Sequence, residues 1–447
     1  MLNLFKKQPP IGIDISDYSI EVLQLTKGRK VLAYGRILLE EGIVKDGLIL
    51  QKQKLVEKIK EVLRYTRPNR LEISKKLRVI LSLPESKTFI YYFELPGELE
   101  GENLKQKIFE EASKIVPFGP QEIYWDYLRI LDSNSFLKKN KKNKEENKEK
   151  GLQRILYVGA LREIVDSYIE VMELVGLDLI VLDIEADSLS RALLPGKVVT
   201  TYFEKFVNYL EKFIYGLEDS MIIDIGARTT NVSIFNKDGV LNLSIVIPIA
   251  GNHFTKAIAQ KLGKNKEEAE LLKRNFGFDE EKLDNKVLPI LQLLFQKIIR
   301  ELKKAIEYYE EKVGREIKKI ILAGGSSLLP KIDKYIEANL EKRVILGSPL
   351  DRIKNKDVFD IEVPAILFAN VVGLALRGVY DINKGINLLS REQKIGSNSL
   401  LKKILKIVKT KKVFITTFCV LVFVFISLLL LGFALYRSFF KTPIGIR

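Results

Sequence analysis

A short polar turn in the second half of the chain has the residue types that can bind a phosphate group. The segment Asp224–Thr230 reads Asp-Ile-Gly-Ala-Arg-Thr-Thr and lies between two apolar runs. Its glycine would let backbone N–H groups approach an anion, its two threonines add hydroxyl groups, and Asp224 could hold Mg²⁺ through water. An ordinary hairpin with a polar tip would have the same composition, because short glycine turns are common.

The same arrangement occurs near the start of the chain, where Asp14–Ser19 reads Asp-Ile-Ser-Asp-Tyr-Ser. Two such turns can hold phosphates from opposite sides if the fold brings them face to face. A matched pair is therefore more specific than either turn alone. Together the two turns predict a phosphate-binding cleft.

A pair of adjacent glycines marks a third candidate segment. Residues 322–330 read Leu-Ala-Gly-Gly-Ser-Ser-Leu-Leu-Pro, and the run before them predicts a buried strand. Glycine backbone can pack flat against a nucleobase, and a helix N-terminus directly after it would favour phosphate or ribose oxygens. A plain strand-to-helix turn is the structural alternative.

Both polar turns belong to similar α/β units, which begin at residues 11 and 221. In each unit a strand, a polar turn and two further strands are followed by helices. Two similar halves would face each other across a cleft, which is a favoured position for a ligand. The predicted strands are Ile11–Ile13, Ile20–Leu25 and Lys30–Leu38 in the first unit, and Met221–Ile225, Asn231–Asn236 and Gly239–Pro248 in the second.

The net charge of +16 does not indicate nucleic-acid binding, because the basic excess is concentrated at the C-terminus. Twelve Lys or Arg and a single acid lie between Lys384 and Arg447, beside an apolar segment, and this suits an anionic membrane surface. The Lys, Glu and Asn run at 138–150 predicts a solvated loop, with a nucleic-acid arm as the alternative. Cys419 and His253 are single, which excludes a disulfide framework and most histidine-based catalysis.

The segment Val413–Tyr436 contains 24 residues without a charge. A bilayer core of about 30 Å needs roughly 20 helical residues, so this length predicts one transmembrane helix. The basic residues before it place the bulk of the chain in the cytoplasm by the positive-inside rule. The expected location is the inner (cytoplasmic) membrane, with a single pass.

These segments, in this order, resemble the phosphate and adenosine motifs of the actin, Hsp70 and sugar-kinase superfold. Over nearly all of residues 8–378 the chain looks like the type IV pilus assembly protein PilM, a relative of the cell-division protein FtsA. The resemblance is carried also by Ile115–Phe118, Ala269–Arg274 and Gly373–Gly378. It implies an α/β, actin/Hsp70-like (ASKHA) two-half fold with an FtsA-like 1C (SHS2) subdomain.

The resemblance also implies bound ATP or ADP with Mg²⁺, the metal being held by Asp14 and Asp224 through water. Ser16 and Glu21 stand where relatives commonly carry glycine and lysine, so hydrolysis is expected to be weak or absent, and the catalytic residues are unknown. A solvated helix face is the alternative for Glu270 and Lys273. The implied nucleotide-binding residues are Asp14, Ser16, Asp17, Ser19, Asp224, Gly226, Arg228, Thr229, Thr230, Gly251, Asn252, Glu270, Lys273, Gly324, Gly325, Ser326 and Ser327.

The segment Gly385–Arg391 resembles part of a second family. Ile386, Asn387, Leu388 and Leu389 look like the N-terminal peptide of PilN, which docks into a groove on PilM and is followed by a transmembrane helix. A simple linker is the alternative. The resemblance predicts these four residues as a partner peptide that docks in its own chain or in a neighbour.

The function implied by the resemblance is a membrane-tethered, ATP-binding scaffold of the type IV pilus inner-membrane assembly platform, serving pilus biogenesis and twitching motility. Expected partners are PilN- and PilO-like platform proteins, pilus motor ATPases and the membrane, without nucleic acid; a homo-oligomer is left open. The alternatives are a GspL-like type II secretion platform protein, an FtsA-like cell-division protein, and an active sugar kinase or ATPase.

The predicted division of the chain follows the two halves. The parts are subdomain 1A at 1–96 and 179–218, subdomain 1C at 97–178 with the loop 138–150, the second half at 219–380 with a helical insert at about 253–318, the PilN-like peptide and basic linker at 381–412, and the transmembrane helix at 413–436.

Overall fold

The computed structural model describes residues 8–74, 77–119, 121–130, 151–194, 218–282, 285–359, 362–380 and 382–389. The chain divides into two units, Met1–Leu389 and Ser390–Arg447, and every described residue belongs to the first. The predicted loop at 138–150 and the basic linker after residue 389 lie outside the described residues.

Strands and helices follow one another in blocks along the described residues. The strands are β1 Ile11–Ile15, β2 Ser19–Leu25, β3 Val31–Leu38, β4 Val44–Lys45, β5 Leu48–Ile49, β6 Arg67–Pro68, β7 Arg78–Leu83, β8 Thr88–Pro96, β9 Ile123–Ile130, β10 Leu152–Leu161, β11 Asp178–Ile184, β12 Ser220–Ile225, β13 Thr230–Phe235, β14 Leu241–Ile247, β15 Lys319–Ala323 and β16 Arg343–Leu346. The α-helices are α1 Lys52–Arg64, α2 Gly101–Ala112, α3 Arg162–Val175, α4 Glu185–Leu193, α5 Gly251–Leu262, α6 Lys266–Phe276, α7 Leu288–Val313, α8 Ile332–Leu340 and α9 Ala369–Tyr380.

Two sheets with the same topology form the centres of the two halves. In the first sheet, β1, β2 and β3 form an antiparallel meander, and β7 and β11 extend the other side of β1 in parallel. In the second, β12, β13 and β14 form the meander, and β15 and β16 extend the other side of β12 in parallel. The unit that the sequence repeats is therefore a five-stranded sheet, and both sheets have the same strand order. The first sheet has β6 as an additional edge strand.

A separate antiparallel sheet, in the order β8-β10-β9, is inserted into the first half. Helix α2 covers one face of it, because Leu104, Ile108 and Ala112 recur at helical spacing and pack with Tyr157 of β10. β8 pairs with β10 along its whole length. The predicted boundary at residue 97 instead leaves β8 in the neighbouring subdomain, because the pairing partner of a strand is not visible in its own sequence.

Helix α9 returns the chain to the first half, where it packs against β1, β2, β7 and α4. The helix lies so close to β1 and α4 that only glycine fits at two positions. A Cβ atom on Gly12 would clash with the α9 backbone, and one on Gly373 would clash with the backbone of Ser188 in α4. The predicted boundaries assign this helix to the second half, whereas its packing places it on the first.

One part of the predicted fold class was wrong. The prediction included a C-terminal transmembrane helix, and no helix of the described residues is long and apolar enough to cross a membrane. The segment given for it, 413–436, lies outside those residues. An uncharged run satisfies the length rule for a span, but length does not itself demonstrate a helix. The supported fold class is the two-half α/β fold alone.

Candidate functional site

The first polar turn joins β1 to β2 and is held by its own side chains. The Ser16 hydroxyl donates to the Ser19 carbonyl at 3.1 Å and accepts the Ser19 N–H at 3.1 Å. Asp17, at the tip, accepts the N–H groups of Asp46 and Gly47 at 3.1 and 3.3 Å. The serine hydroxyl is therefore used inside the turn, whereas the Asp17 carboxylate is fixed towards the hairpin formed by β4 and β5.

The second polar turn joins β12 to β13 in the same way. The Gly226 N–H donates to the Thr229 carbonyl at 3.0 Å and closes the turn. The Gly226 carbonyl then accepts the Gly251 N–H at 3.2 Å, and the Ala227 carbonyl accepts the Asn252 N–H at 2.7 Å. The predicted residues Gly251 and Asn252 thus attach the N-terminus of α5 to this turn.

The glycine pair packs directly beside the second turn. Gly324 has a φ of 78° and lies against Asp224, where a Cβ atom would clash with the carboxylate. The Ser326 hydroxyl donates to the Gly226 carbonyl at 3.0 Å, and the Ser327 hydroxyl donates to the Gly324 carbonyl at 2.6 Å. The third predicted segment is therefore in contact with the second.

The helix expected directly after the glycine pair begins later than predicted. A 3₁₀ turn, Gly325–Leu328, follows Gly324, and α8 begins only at Ile332. Leu329 has extended backbone because it precedes Pro330, and a residue before proline is disfavoured in the α region. The N-terminus of α8 is thus displaced from the glycine pair by a short connection.

Two contacts join the first polar turn to the second half across the cleft. Arg228 donates from Nε to the Asp17 carboxylate, and the same Nε lies 3.6 Å from Asp46 Oδ1. Asn252 Nδ2 donates to the Tyr18 hydroxyl at 2.8 Å. The two turns therefore face each other across one gap, and Arg228 is the charged group between them.

Glu270 and Lys273 lie behind the N-terminus of α5. Lys273 is only 5% exposed, and its Nζ lies 2.6 Å from Glu270 Oε2, 2.9 Å from Thr255 Oγ1 and 3.1 Å from the Gly251 carbonyl. Burial lowers the pKa of Lys273. Burial opposes ionisation of Glu270, but hydrogen bonds from Lys273 and Thr255 hold its pKa below the usual value. This buried lysine does not belong to a solvated helix face.

Four carboxyl groups gather on the floor of the cleft. Burial raises the pKa of Asp14 to about 6, and burial with the charges of Glu85 and Asp14 raises the pKa of Asp224 to about 7. Burial also raises the pKa of Glu85, and burial with the neighbouring acids raises that of Glu185 well above its usual range. Because like charges in one buried region repel, a bound cation would favour their ionised forms.

The cleft also holds polar atoms that the protein itself does not satisfy. Among the described residues, Asn231 Oδ1 has no hydrogen-bond partner, and Glu85 Oε2 has none beyond the neighbouring Glu185 carboxyl. Such buried atoms are costly unless an ion, water or ligand satisfies them. No three Asp, Glu, His or Cys side chains in the described ranges are placed to hold a metal ion directly. Asp14 and Asp224, whose charges interact, are the residues that would hold Mg²⁺ through its water shell.

Glu85 and Glu185 were not among the predicted site residues. Glu85 lies two positions after β7, and Glu185 directly follows β11. The C-terminal ends of neighbouring parallel strands meet at one edge of a sheet, which is where ligands bind in open α/β sheets. The sequence does show an acid just after each of these two strands. This pattern indicates a shared site only when the two strands are known to be neighbours in the sheet.

Glu21 is the acid at the position for which the resemblance implied a lysine, and it lies on β2 just after the first polar turn. It is 3% exposed and accepts a hydrogen bond from Arg36 Nε at 2.7 Å, its cross-strand partner on β3. Arg36 offsets only part of the cost of charging Glu21, because burial and the neighbouring Asp14 raise the pKa of Glu21 to about 8. Thr230 is fully buried, and its hydroxyl donates to the Ile249 carbonyl at 2.7 Å.

The predicted partner peptide lies against the outer edge of the first sheet. β11 is the last strand on that side, and the Leu388 N–H donates to the Leu182 carbonyl at 2.8 Å. Ile386 and Leu388 are both fully buried. The segment thus lies along the sheet edge, held by one backbone bond and by two buried apolar side chains.

Asn387 contacts both walls of this groove. Its Oδ1 accepts the Leu182 N–H at 3.0 Å and the Leu389 N–H at 3.1 Å, and its Nδ2 donates to the Ile180 carbonyl at 3.3 Å. From the opposite side, Asp126 of β9 accepts the Asn387 backbone N–H at 2.8 Å. The segment is thus held between β11 and β9.

Arg377 of α9 holds the preceding part of the segment. It is 2% exposed and donates to the Ile386 carbonyl at 2.5 Å and to the Gly385 carbonyl at 3.3 Å. Its guanidinium also pairs with Asp183 of β11 at 2.6 Å, and Arg191 pairs with the same carboxylate. One buried acid therefore orients two arginines, one of which contacts the backbone of the segment.

Comparison with known proteins gives one family and one fold. The model of the family "Type IV pilus assembly protein PilM" matches residues 12–379. A PilM–PilN type IV pilus biogenesis complex is similar, with a TM-score of 0.67 and 19% identity over 84% of this chain and 99% of that chain. EutJ, an ethanolamine utilization protein from Carboxydothermus hydrogenoformans, has a TM-score of 0.47 and 15% identity over 84% of this chain and 92% of that chain. MreB 5 of Spiroplasma citri bound to AMPPNP has a TM-score of 0.47 and 15% identity over 83% of this chain and 96% of that chain.

Proposed function

We propose a nucleotide-binding scaffold role for this chain, which belongs to the family of the type IV pilus assembly protein PilM. In this role it works in the assembly platform at the inner membrane and supports pilus biogenesis and twitching motility. The similar structure of a PilM–PilN complex supports a partner peptide of PilN type. PilO-like proteins and pilus motor ATPases are further proposed partners, on the ground of family membership alone.

The main support for nucleotide binding is that three segments far apart in the sequence meet at one cleft. Asp14–Ser19 and Asp224–Thr230 face each other through Arg228, and Gly324 lies against Asp224. Phosphates in this gap would accept hydrogen bonds from the guanidinium and from turn backbone, and bound Mg²⁺ would neutralise part of their charge. The gathered carboxyl groups then become favourable, because they would hold the water shell of the metal ion.

Calorimetric titration of Mg-ATP into the purified chain tests this proposal. Wild-type chain should bind with a measurable affinity, and Asp224→Ala should abolish saturable binding, because it removes an acid from the floor of the cleft. The matched control is Asp238→Ala, an exposed acid in the turn after β13 of the same sheet. An unchanged ATP affinity in folded Asp224→Ala would contradict the site.

Hydrolysis is proposed to be weak or absent, so that nucleotide acts as a structural or switching ligand. The Ser16 hydroxyl is engaged inside its own turn, and Arg228 is engaged with Asp17. Steady-state release of phosphate measures this directly. A turnover on the order of 1 s⁻¹ or more would instead support an active ATPase or kinase.

A further inference from the structure

We infer that the groove between β9 and β11 is a peptide site that this chain fills with its own residues 385–389, so that a separate peptide of the same pattern is excluded from the intact chain. Asn387 forms hydrogen bonds to both walls of the groove, and Ile386 and Leu388 are fully buried. The inference rests on the proposed scaffold role, which requires a partner peptide at this surface.

The edge residue Leu182 of β11 is the backbone position that holds the segment. The Leu388 N–H donates to the Leu182 carbonyl, and the Asn387 side chain occupies the Leu182 N–H, so both polar groups of this edge residue are used. An outer strand presents such unpaired groups to any extended segment. Backbone pairing gives affinity without selecting a sequence, and therefore the side chains must supply the selectivity.

Asparagine is the side chain that fits the centre of the groove. Oδ1 accepts from Leu182 and Leu389 while Nδ2 donates to the Ile180 carbonyl, and a primary amide can do both at once. Aspartate would lose the donor and bury a charge, and alanine would leave the Leu182 N–H unpaired. The pattern read by the groove is therefore an asparagine between two apolar residues.

The residue before this pattern is restricted as well. Gly385 has a φ of 93°, a left-handed conformation that favours glycine, and a Cβ atom there would lie 3.3 Å from Asp187 Oδ2. Arg377 donates to the Gly385 and Ile386 carbonyls from its buried position. The pattern thus extends to Gly-apolar-Asn-apolar, which the chain carries at 385–388.

The connection from α9 to the groove favours docking within one chain. The helix ends at Tyr380, and Gly385 is already in contact with Arg377 of the same helix. Five further residues span at most about 17 Å. A peptide on so short a tether has an effective concentration on the order of millimolar. A separate peptide must compete against that value.

Fluorescence anisotropy with the intact chain tests the inference. The probe is a labelled synthetic peptide with the sequence of residues 383–390, Asn-Lys-Gly-Ile-Asn-Leu-Leu-Ser. The double variant Ile386→Asp/Leu388→Asp puts two charges into apolar positions and disables the chain's own segment without changing the groove walls. This variant should bind the probe, and wild-type chain should bind it at least about 100-fold more weakly.

The matched control is Asn383→Asp/Lys384→Asp, which adds two acids at exposed positions just before the segment and should behave as wild-type. A probe with alanine in place of its central asparagine should bind the disabled variant about 10-fold more weakly. Equal binding of the unchanged probe to wild-type and disabled chain would overturn the inference. A folded disabled variant that binds no probe would overturn it too.

Hydrogen exchange of the unmodified chain decides the matter if the disabled variant does not fold. The amides of Leu182 and Leu388 should exchange at least about 100-fold more slowly than the same amides in an unstructured peptide, because they are hydrogen-bonded in the groove. Equal rates would refute docking. No readout here uses a nucleotide, so a failure of this inference is distinct from a failure of the proposed nucleotide site.

Discussion

Arg228 connects the two halves by charge. Its guanidinium pairs with Asp17 and lies near Asp46, so it already compensates acids of the first half. A phosphate placed between the turns would compete for the same guanidinium, because arginine binds carboxylates and phosphates in similar geometry. The residue is therefore either a phosphate contact or an ion pair that a nucleotide must break.

Substitution of Arg228 distinguishes these two roles, because the affinity for Mg-ATP falls in the first case and rises in the second. Arg228→Ala should weaken Mg-ATP binding about 10- to 100-fold in calorimetry, because a hydrogen bond from a charged donor contributes about 1.5–3 kcal/mol. Arg228→Lys should retain part of the affinity. Exposed Arg300 of α7 provides the control substitution, Arg300→Ala, with no expected change. Tighter binding by Arg228→Ala would mean that the arginine closes the cleft against nucleotide.

The raised pKa values of Asp14 and Asp224 predict a loss of stability as the pH rises. Both pKa values lie above the ordinary 3.8 in the folded chain, so protonation favours folding. This contribution is complete below about pH 4 and is lost as the pH passes about 6 for Asp14 and about 7 for Asp224.

Asp224→Asn, which keeps the shape without the charge, isolates the effect of one carboxyl. Between about pH 5 and about pH 8, the melting temperature measured by circular dichroism should fall several degrees further in wild-type chain than in this variant. Asp238→Asn, at an exposed acid, should follow the wild-type profile. Parallel profiles for wild-type and Asp224→Asn would show that burial of this carboxyl does not control stability.

At the scale of elements, β11 and α4 connect the peptide groove to the cleft over a few residues. Leu182 of β11 is bonded to Asn387 in the groove. Glu185, three positions later at the start of α4, belongs to the acidic cluster of the cleft. A shift of β11 along its axis would therefore move both sites.

Helix α9 also connects the peptide groove to the cleft. Near its start, Asn370 donates to Asp14 in the cleft at 2.8 Å and to Ser82 at 2.9 Å. Two turns later Arg377 contacts the carbonyl groups of the docked segment. The β11–α4 connection and α9, which are joined by the pairing of Arg377 with Asp183, thus both contact the two sites, and a shift of either would carry a coupling free energy between them.

Disabling the docked segment should therefore weaken nucleotide binding. In Ile386→Asp/Leu388→Asp, the affinity for Mg-ATP should fall about 5-fold or more, the lower end of typical coupling between sites. By reciprocity, Mg-ATP should slow exchange of the Leu388 amide in the wild-type chain by the same factor. Identical Mg-ATP affinity in this variant and in Asn383→Asp/Lys384→Asp would show that groove and cleft are independent.

At the scale of the whole molecule, the duplicated α/β order could be predicted because each strand, turn and strand is a local pattern. The proximity of Glu85 and Glu185 could not, since it depends on the order of β7 and β11 within the sheet. Docking of residues 385–389 in their own chain also depends on where α9 ends relative to β11. The transmembrane part of the predicted fold class was wrong, because it rested on the length of an uncharged run alone.

The same dependence on long-range placement explains the position of α9. Its small residues could be recognised in the sequence, but the partner that needs them could not. Gly373 faces the backbone of Ser188, which is far earlier in the chain, and Gly12 faces the helix itself. Close helix packing therefore assigns α9 to the first half, although the chain reaches it after the second.

A crystal structure of the chain with Mg²⁺ and a non-hydrolysable ATP analogue tests the central claim most directly. The phosphates should lie between Asp14–Ser19 and Asp224–Thr230, with contacts to both turns, and the base should lie near Gly324–Ser327. Phosphates bound by one turn only, or a nucleotide bound outside this gap, would contradict it.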